Sequence, residues 1–221
     1  MPVSIGIRRA LNMDFIVQPP SRVFLLSPAS TSGLRAQLLL RDKARFGLAL
    51  DLRSPEGASI GRVFAFLSGL YFRGKLAYAN RFAPGAALVI TAASGLISPD
   101  ERIGVEELRR HARVPIAATE AAYRQPFERD IRALRRRLGG RGEVVLLGSI
   151  ATDKYVGPLL ESFGPRLLFP PAFVGRGDMS RGGLLLRAAR EGRELDYVPV
   201  AGAARRGPRP PKLDPRTRVR A

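Results

Sequence analysis

Four short apolar runs, each running into a loop of small residues, constrain this chain more than any other feature. They are RVFLLS (22–27), Leu88–Thr91 within ALVITAASGLISPDE (87–101), EVVLLGS (143–149) and RLLFP (166–170). Their length and their Gly, Ser and Pro boundaries read as strands buried on both faces. Helical stretches separate them. In TSGLRAQLLLRDKARF (31–46), Leu34, Leu38 and Leu39 share a face, while Arg35, Arg41 and Lys43 fall largely outside it. LDLRSPEGAS (50–59) reads as a loop, and Ile60 to Phe82 as helix broken at Gly69 and Gly74. GVEELRRHA (104–112) predicts a short helix. QPFERDIRALRRRLGG (125–140) predicts a longer one, with Pro126 in its first turn and Gly139-Gly140 as its stop. DKYVGPLLESFG (153–164) and SRGGLLLRAAREG (180–192) complete the helices. Such alternation predicts an α/β fold: one domain with a mostly parallel central sheet flanked by helices.

The domain is expected to span residues 22–202. Residues 1–21 read as an extended or poorly ordered lead-in ending in Pro19-Pro20. From Ala203 onward the chain carries seven Arg or Lys, one acidic residue and four prolines, and is expected to be a disordered basic arm.

At 45% apolar residues the chain can bury a real core. It has no cysteine, which excludes disulfides, thiolate metal sites and a cysteine nucleophile. His111 is its only histidine, which argues against an ordinary zinc site and leaves a histidine-based triad a single candidate base. No metal or cofactor is expected. No apolar run approaches the roughly 18 residues of a membrane span, and no signal peptide is apparent, so a cytoplasmic protein is expected. The formal net charge is +18. An excess of this size concentrates polyanions, of which nucleic acid is the commonest in a cell; an Arg-rich genome with a basic tail is the plainer explanation.

In a parallel sheet, ligands bind beyond the carboxyl ends of the strands. Four loops leave those ends: SPAS with Ser27 and Pro28, TAASG with Ser94, GSIATDK with Asp153 and Lys154, and FVGRGDMSRGG (173–183). All are rich in small residues, which let backbone N–H groups approach a ligand. In the last loop, Arg176 and Arg181 can cradle a phosphate at the start of the final helix, with Ser180 as its cap, Met179 beside them and Asp178 between them. The plain alternative is a capped turn with solvated arginines. Asp178, Asp100 and Asp153 are the candidate general bases, with capping or turn roles as the alternative for each. Lys154 can hold a phosphate and Tyr155 can stack a base. Arg129, Arg132 and Arg136, with Arg135, form a basic ridge on one helix that either follows a phosphate backbone or is a solvated face. The tail arginines Arg205, Arg206, Arg209, Arg216, Arg218 and Arg220, with Lys212, add salt-dependent affinity. Ser27 has neither a G-x-S-x-G setting nor a histidine, which argues against acyl transfer.

Taken in order, these segments resemble the YaaA peroxide-stress protein family. LLSPAS (25–30) is similar to its ISPAKT segment, and FLSGLY (66–71) to its F-x-G-x-x-Y element, which marks Tyr71. TAASGLISPDERI (91–103) resembles LSGLYGLLRPLDLI, and VVLLGSIATDKY (144–155) resembles VVINLASDEY. RGDMSR (176–181) resembles ARGLMSR, and LDYVPV (195–200) resembles an aromatic strand near the family's C-terminus. The resemblance covers about residues 22–200. It implies an α/β domain around a basic cleft, with a sheet similar to that of uracil-DNA glycosylases. It also implies DNA or nucleotide binding linked to DNA damage or oxidative-stress protection. A related branch modifies deazaguanine bases in DNA, so the alternative is an enzyme cleaving an N-glycosidic bond or modifying a base. This chain differs in three places: it is shorter between Pro28 and Phe66, where the family has a helix-hairpin-helix element, EELRRHARVP (106–115) stands for YRLEM, and Ser30 stands for a lysine.

Overall fold

The structure, a computed structural model, describes residues 21–211 and 213. Residues 1–20 of the lead-in, Lys212 and the last arginines of the tail lie outside the described residues. A sheet of six strands carries the fold. Four strands run parallel: β1 (Arg22–Leu26), β3 (Ala87–Ile90), β6 (Glu143–Leu147) and β7 (Leu167–Phe169). At the two edges, β4 (Leu96–Ile97) pairs antiparallel with β3 and β8 (Val198–Pro199) antiparallel with β7, giving the order β4-β3-β1-β6-β7-β8. A separate two-stranded ribbon joins β2 (Ala58–Ser59) to β5 (Arg102–Ile103). The expected α/β class with a mostly parallel sheet is therefore observed.

Period-two alternation splits the central strands between two apolar layers. Phe24, Leu26, Val145 and Leu147 face one layer, with α1 (Leu34–Leu40), α2 (Gly47–Arg53), α3 (Ile60–Ser68), α4 (Leu70–Phe82) and α8 (Asp178–Glu191). Val23, Leu25, Val144 and Leu146 face the other, with α6 (Ala121–Leu138) and α7 (Asp153–Phe163). The short α5 (Val105–Arg113) links β5 to α6. Burial on both faces is why these strands read as continuous apolar runs.

Two glycines bring α4 and α8 into backbone contact. A Cβ on Gly74 would lie 2.7 Å from the Gly182 carbonyl oxygen, and one on Gly182 would lie 2.7 Å from that of Leu70. Gly74 therefore does not break the helix as expected; only Gly69 does. The contact lays the first turn of α8 over Tyr71 and Lys75.

Other local expectations shift for physical reasons. The helix expected over 31–46 ends at Leu40, and residues 47–53, expected in part as loop, form α2, with the Arg53 guanidinium donating to Leu39 O, Arg41 O and Ala49 O. Helix α6 starts at Ala121, because the Glu120 side chain accepts from Ala122 N, so Pro126 sits inside the helix rather than in its first turn. Asp130 lies in the middle of α6. Its buried carboxylate accepts from Leu96 N at 3.0 Å and from Arg129 Nε at 2.8 Å, fastening β4 to α6. Residues 203–211, expected as the start of a disordered arm, lie against the domain: Arg205 pairs with Asp153, Gly207 packs on Val174, and Arg176 donates to Pro211 O.

Candidate functional site at the carboxyl edge of the sheet

The connection leaving β1 runs to β3, and the one leaving β6 runs to β7 on the opposite side. The carboxyl ends of β1 and β6 are thus the switch point of the sheet, the position at which sheets of this kind bind their ligands. Ser27 follows β1 there and Gly148 follows β6. The two touch so closely that a Cβ on Gly148 would lie 2.7 Å from that of Ser27.

Beneath this point lies Lys75, fully buried in α4. Its Nζ donates to Ser27 O at 2.7 Å and to Ser27 Oγ at 2.9 Å. It also sits over the rings of Tyr71 at 4.3 Å and Phe72 at 4.8 Å. Among the described residues no carboxylate lies within ion-pair distance of it. Burial pushes its pKa down to about 7, with Asp178 opposing the shift and Arg181 adding to it. Near neutral pH an uncharged amine is thus available beside a serine hydroxyl.

Two tyrosines and the start of α8 close the cluster. The Tyr155 hydroxyl donates to Ser149 O at 3.0 Å and lies near Ser27; burial pushes its pKa up to about 12. Tyr71 is also buried and its pKa is raised by burial; its hydroxyl lies near Arg181 yet meets no partner in hydrogen-bonding geometry. Arg181 is mostly covered, at 14% exposure. Its Nε donates to Phe173 O at 3.1 Å and its Nη1 lies 3.5 Å from Asp178 Oδ1. The first intrahelical bond of α8 runs from Arg181 N to Gly177 O, and no side chain caps the helix. Ser180 is thus not the cap that the sequence led us to expect. It lies within the first turn, where its Oγ accepts from Arg176 at 3.2 Å. The N–H groups of Asp178, Met179 and Ser180 lie ahead of that first bond, where negative charge is favoured.

Two further polar atoms lack partners on the same edge. His111 Nδ1 accepts from Ala93 N at 3.1 Å in the loop after β3, leaving Nε2 buried without a partner, and burial pushes its pKa down to about 4. The buried Tyr123 hydroxyl, near Tyr155, also has none, and burial raises its pKa.

The sequence-predicted residues divide clearly. Ser27, Tyr71, Tyr155 and Arg181 converge, with Pro28 following Ser27 and Asp178 on the rim at 71% exposure. Met179 is exposed beside them and lines a shallow groove with Arg35, Leu38, Phe66 and Arg73. Arg176 is turned away, donating to Ala172 O and Pro211 O. Ser94 accepts from Arg110 at 2.8 Å in the loop after β3. Lys154 is exposed at the start of α7, and Asp153 is engaged by Arg205. Asp100 lies exposed in the turn after β4, so the three aspartates do not converge. Arg132 and Arg136 are exposed toward the end of α6 that leads into the amino end of β6, away from the cluster, while Arg129 holds Asp130. Sequence reasoning missed Lys75. Its signal was present: Tyr71, Phe72, Lys75, Tyr78 and Ala79 fall on one helical face, and a lysine amid that apolar stripe needs a buried partner.

No protein-family model matches this chain, and comparison with curated proteins and with solved structures gave no significant match.

Proposed function

We propose that this protein binds a nucleotide or nucleic acid, seating it at the carboxyl ends of β1 and β6, in the manner the YaaA resemblance implies. The observation that carries this reading is the gathering of buried, unpartnered polar groups on one edge. Tyr71, His111 and Tyr123 each have a polar atom without a partner, and all three lie about the switch point. Burying such a group unpaired costs about 1–3 kcal/mol, a cost that a polar ligand removes. The net charge of +18 supplies long-range attraction for a polyanion. Protection against DNA damage or oxidative stress is the context in which such binding would serve.

Titration with duplex and single-stranded DNA at about 50 and 200 mM salt tests the reading. We expect binding that weakens with salt, and a loss of about tenfold in Arg181→Ala, because its guanidinium belongs to the cluster. Arg176→Ala is expected to change affinity by less than about twofold, since that side chain ties down residues 172 and 211 instead. Absence of binding at the lower salt, or equal losses in both variants, would defeat it.

Lys75 favours a second reading, an enzyme acting on a base. A neutral amine 2.9 Å from Ser27 Oγ can accept a proton. Release of free base from uracil- or lesion-containing oligonucleotides, abolished in Lys75→Met, is the expected result. Release that persists in that variant removes Lys75 from the chemistry.

A further inference from the structure

We propose that the cluster formed by Tyr71, Lys75, Arg181 and the first turn of α8 is a site for a terminal phosphate, entering end-on. The inference rests on the nucleotide reading above and specifies its ligand. Four donor groups converge without an internal acceptor to saturate them. Lys75 Nζ places two protons on Ser27, and its ammonium form carries a third. The Tyr71 hydroxyl is free of partners although nine-tenths buried. Arg181 places one N–H on Phe173 O and meets Asp178 only at 3.5 Å. The uncapped N–H groups of α8 supply the fourth. Lysine, arginine and a helix N-terminus together call for concentrated negative charge.

Enclosure distinguishes a terminal phosphate from an internal one. A phosphodiester within a strand has a substituent on either side and needs two ways out. Here Ser27, Tyr71, Lys75 and Tyr155 are all buried, and α4 and α8 are in backbone contact at Gly74 and Gly182. With these groups covered, a ligand reaches them from the rim, where Asp178 and Met179 are exposed, and a phosphate with a single substituent suits that one-sided approach.

Proton uptake follows from the surroundings of Lys75. The ionisable groups about it are Tyr71 on its own helix, Tyr155 from α7, and Asp178 and Arg181 from α8, while β1 contributes the uncharged Ser27. With its pKa held near 7 by burial, Lys75 is mostly uncharged at pH 8, and a dianion arriving beside it restores the proton.

The test uses the full chain with four probes: inorganic phosphate, deoxyadenosine monophosphate, and one single-stranded oligonucleotide with either a 5′-phosphate or a 5′-hydroxyl. The 5′-phosphate is expected to tighten oligonucleotide binding about tenfold. Tyr71→Phe should weaken phosphate binding about fivefold without lowering the thermal midpoint, because that hydroxyl holds nothing in the unliganded fold. Calorimetry at pH 8 in two buffers of different ionisation enthalpy should show proton uptake that vanishes in Lys75→Met. Binding of the small phosphates but of neither oligonucleotide would keep the site, assign it to free nucleotides and sink the nucleic-acid reading. Equal affinity for the two oligonucleotides would overturn the terminal-phosphate site while leaving nucleic-acid binding intact. So would unchanged phosphate affinity in Tyr71→Phe. If none of the four probes binds, the proposal fails, and duplex titration decides the broader reading separately.

Discussion

Replacing Gly182 with valine is expected to destabilise the protein by roughly 3 kcal/mol, whereas Gly183→Ala, one residue on, should stabilise it by up to about 1 kcal/mol. Both residues are helical glycines in α8, so intrinsic propensity alone would improve both. Packing separates them. A Cβ at 182 would lie 2.7 Å from Leu70 O and 2.8 Å from Tyr71 Cα, both backbone atoms that no rotamer change can move. A Cβ at 183 meets only a side-chain carbon of Leu213, at 3.5 Å, an ordinary contact. Urea unfolding of the two variants measures the contrast. The valine should also cost ligand affinity, because pushing α8 off α4 carries Arg181 away from Tyr71. Equal stability in the two variants would mean that the α4–α8 contact is looser than the structure has it.

The second large effect is a rise of stability with pH, about 3 kcal/mol between roughly pH 7.5 and 9.5. An unfolded lysine titrates at 10.5, and in the fold Lys75 is pushed down to about 7 by burial. Between those values the unfolded chain holds one proton more than the native one, so the folding constant gains about tenfold for each pH unit climbed. Below the folded value both states are protonated and the slope ends. Above about pH 10 the buried tyrosines oppose it, because burial raises Tyr71, Tyr123 and Tyr155 and the unfolded chain ionises first. Denaturant melts of the wild type and Lys75→Met across this window give the test. The slope should be absent from the variant. A parallel slope in both would show that Lys75 is not its origin.

The fold was legible where burial imposes a pattern and hidden where the partner lies far off in sequence. The strands β1, β3, β6 and β7 are sealed on both faces, so they had to be unbroken apolar runs bounded by small residues. Strands β4, β5 and β8, at two residues each, carry no period of their own; β4 exists because Asp130, 34 positions away, holds Leu96 N. Helix α2 is equally opaque, since Arg53 completes it by reaching carbonyls of the preceding segment. In the candidate site, small-residue loops pointed to the edge of the sheet where Tyr155 and Arg181 meet, while Tyr71 was marked only by the resemblance of FLSGLY. Arg176 and Ser180 carried the same local signal, but α8 begins two residues earlier than expected, at Asp178, which puts Ser180 inside the first turn, where Arg176 bonds to it as well as to Ala172 O and Pro211 O. Lys75 hid inside a helix, away from every loop. It shows only in three dimensions, where it reaches Ser27 at the end of β1.

The segment from Arg205 to Pro211 crosses from the start of α7 to the loop before α8, pinned at Asp153 and Arg176. It therefore ties the exposed Arg206 and Arg209 to the side of the sheet where α7 and α8 begin. For the anion site proposed above, fixed charges on this side would act on arrival more than on residence, raising the encounter rate while leaving the departure rate to the buried groups.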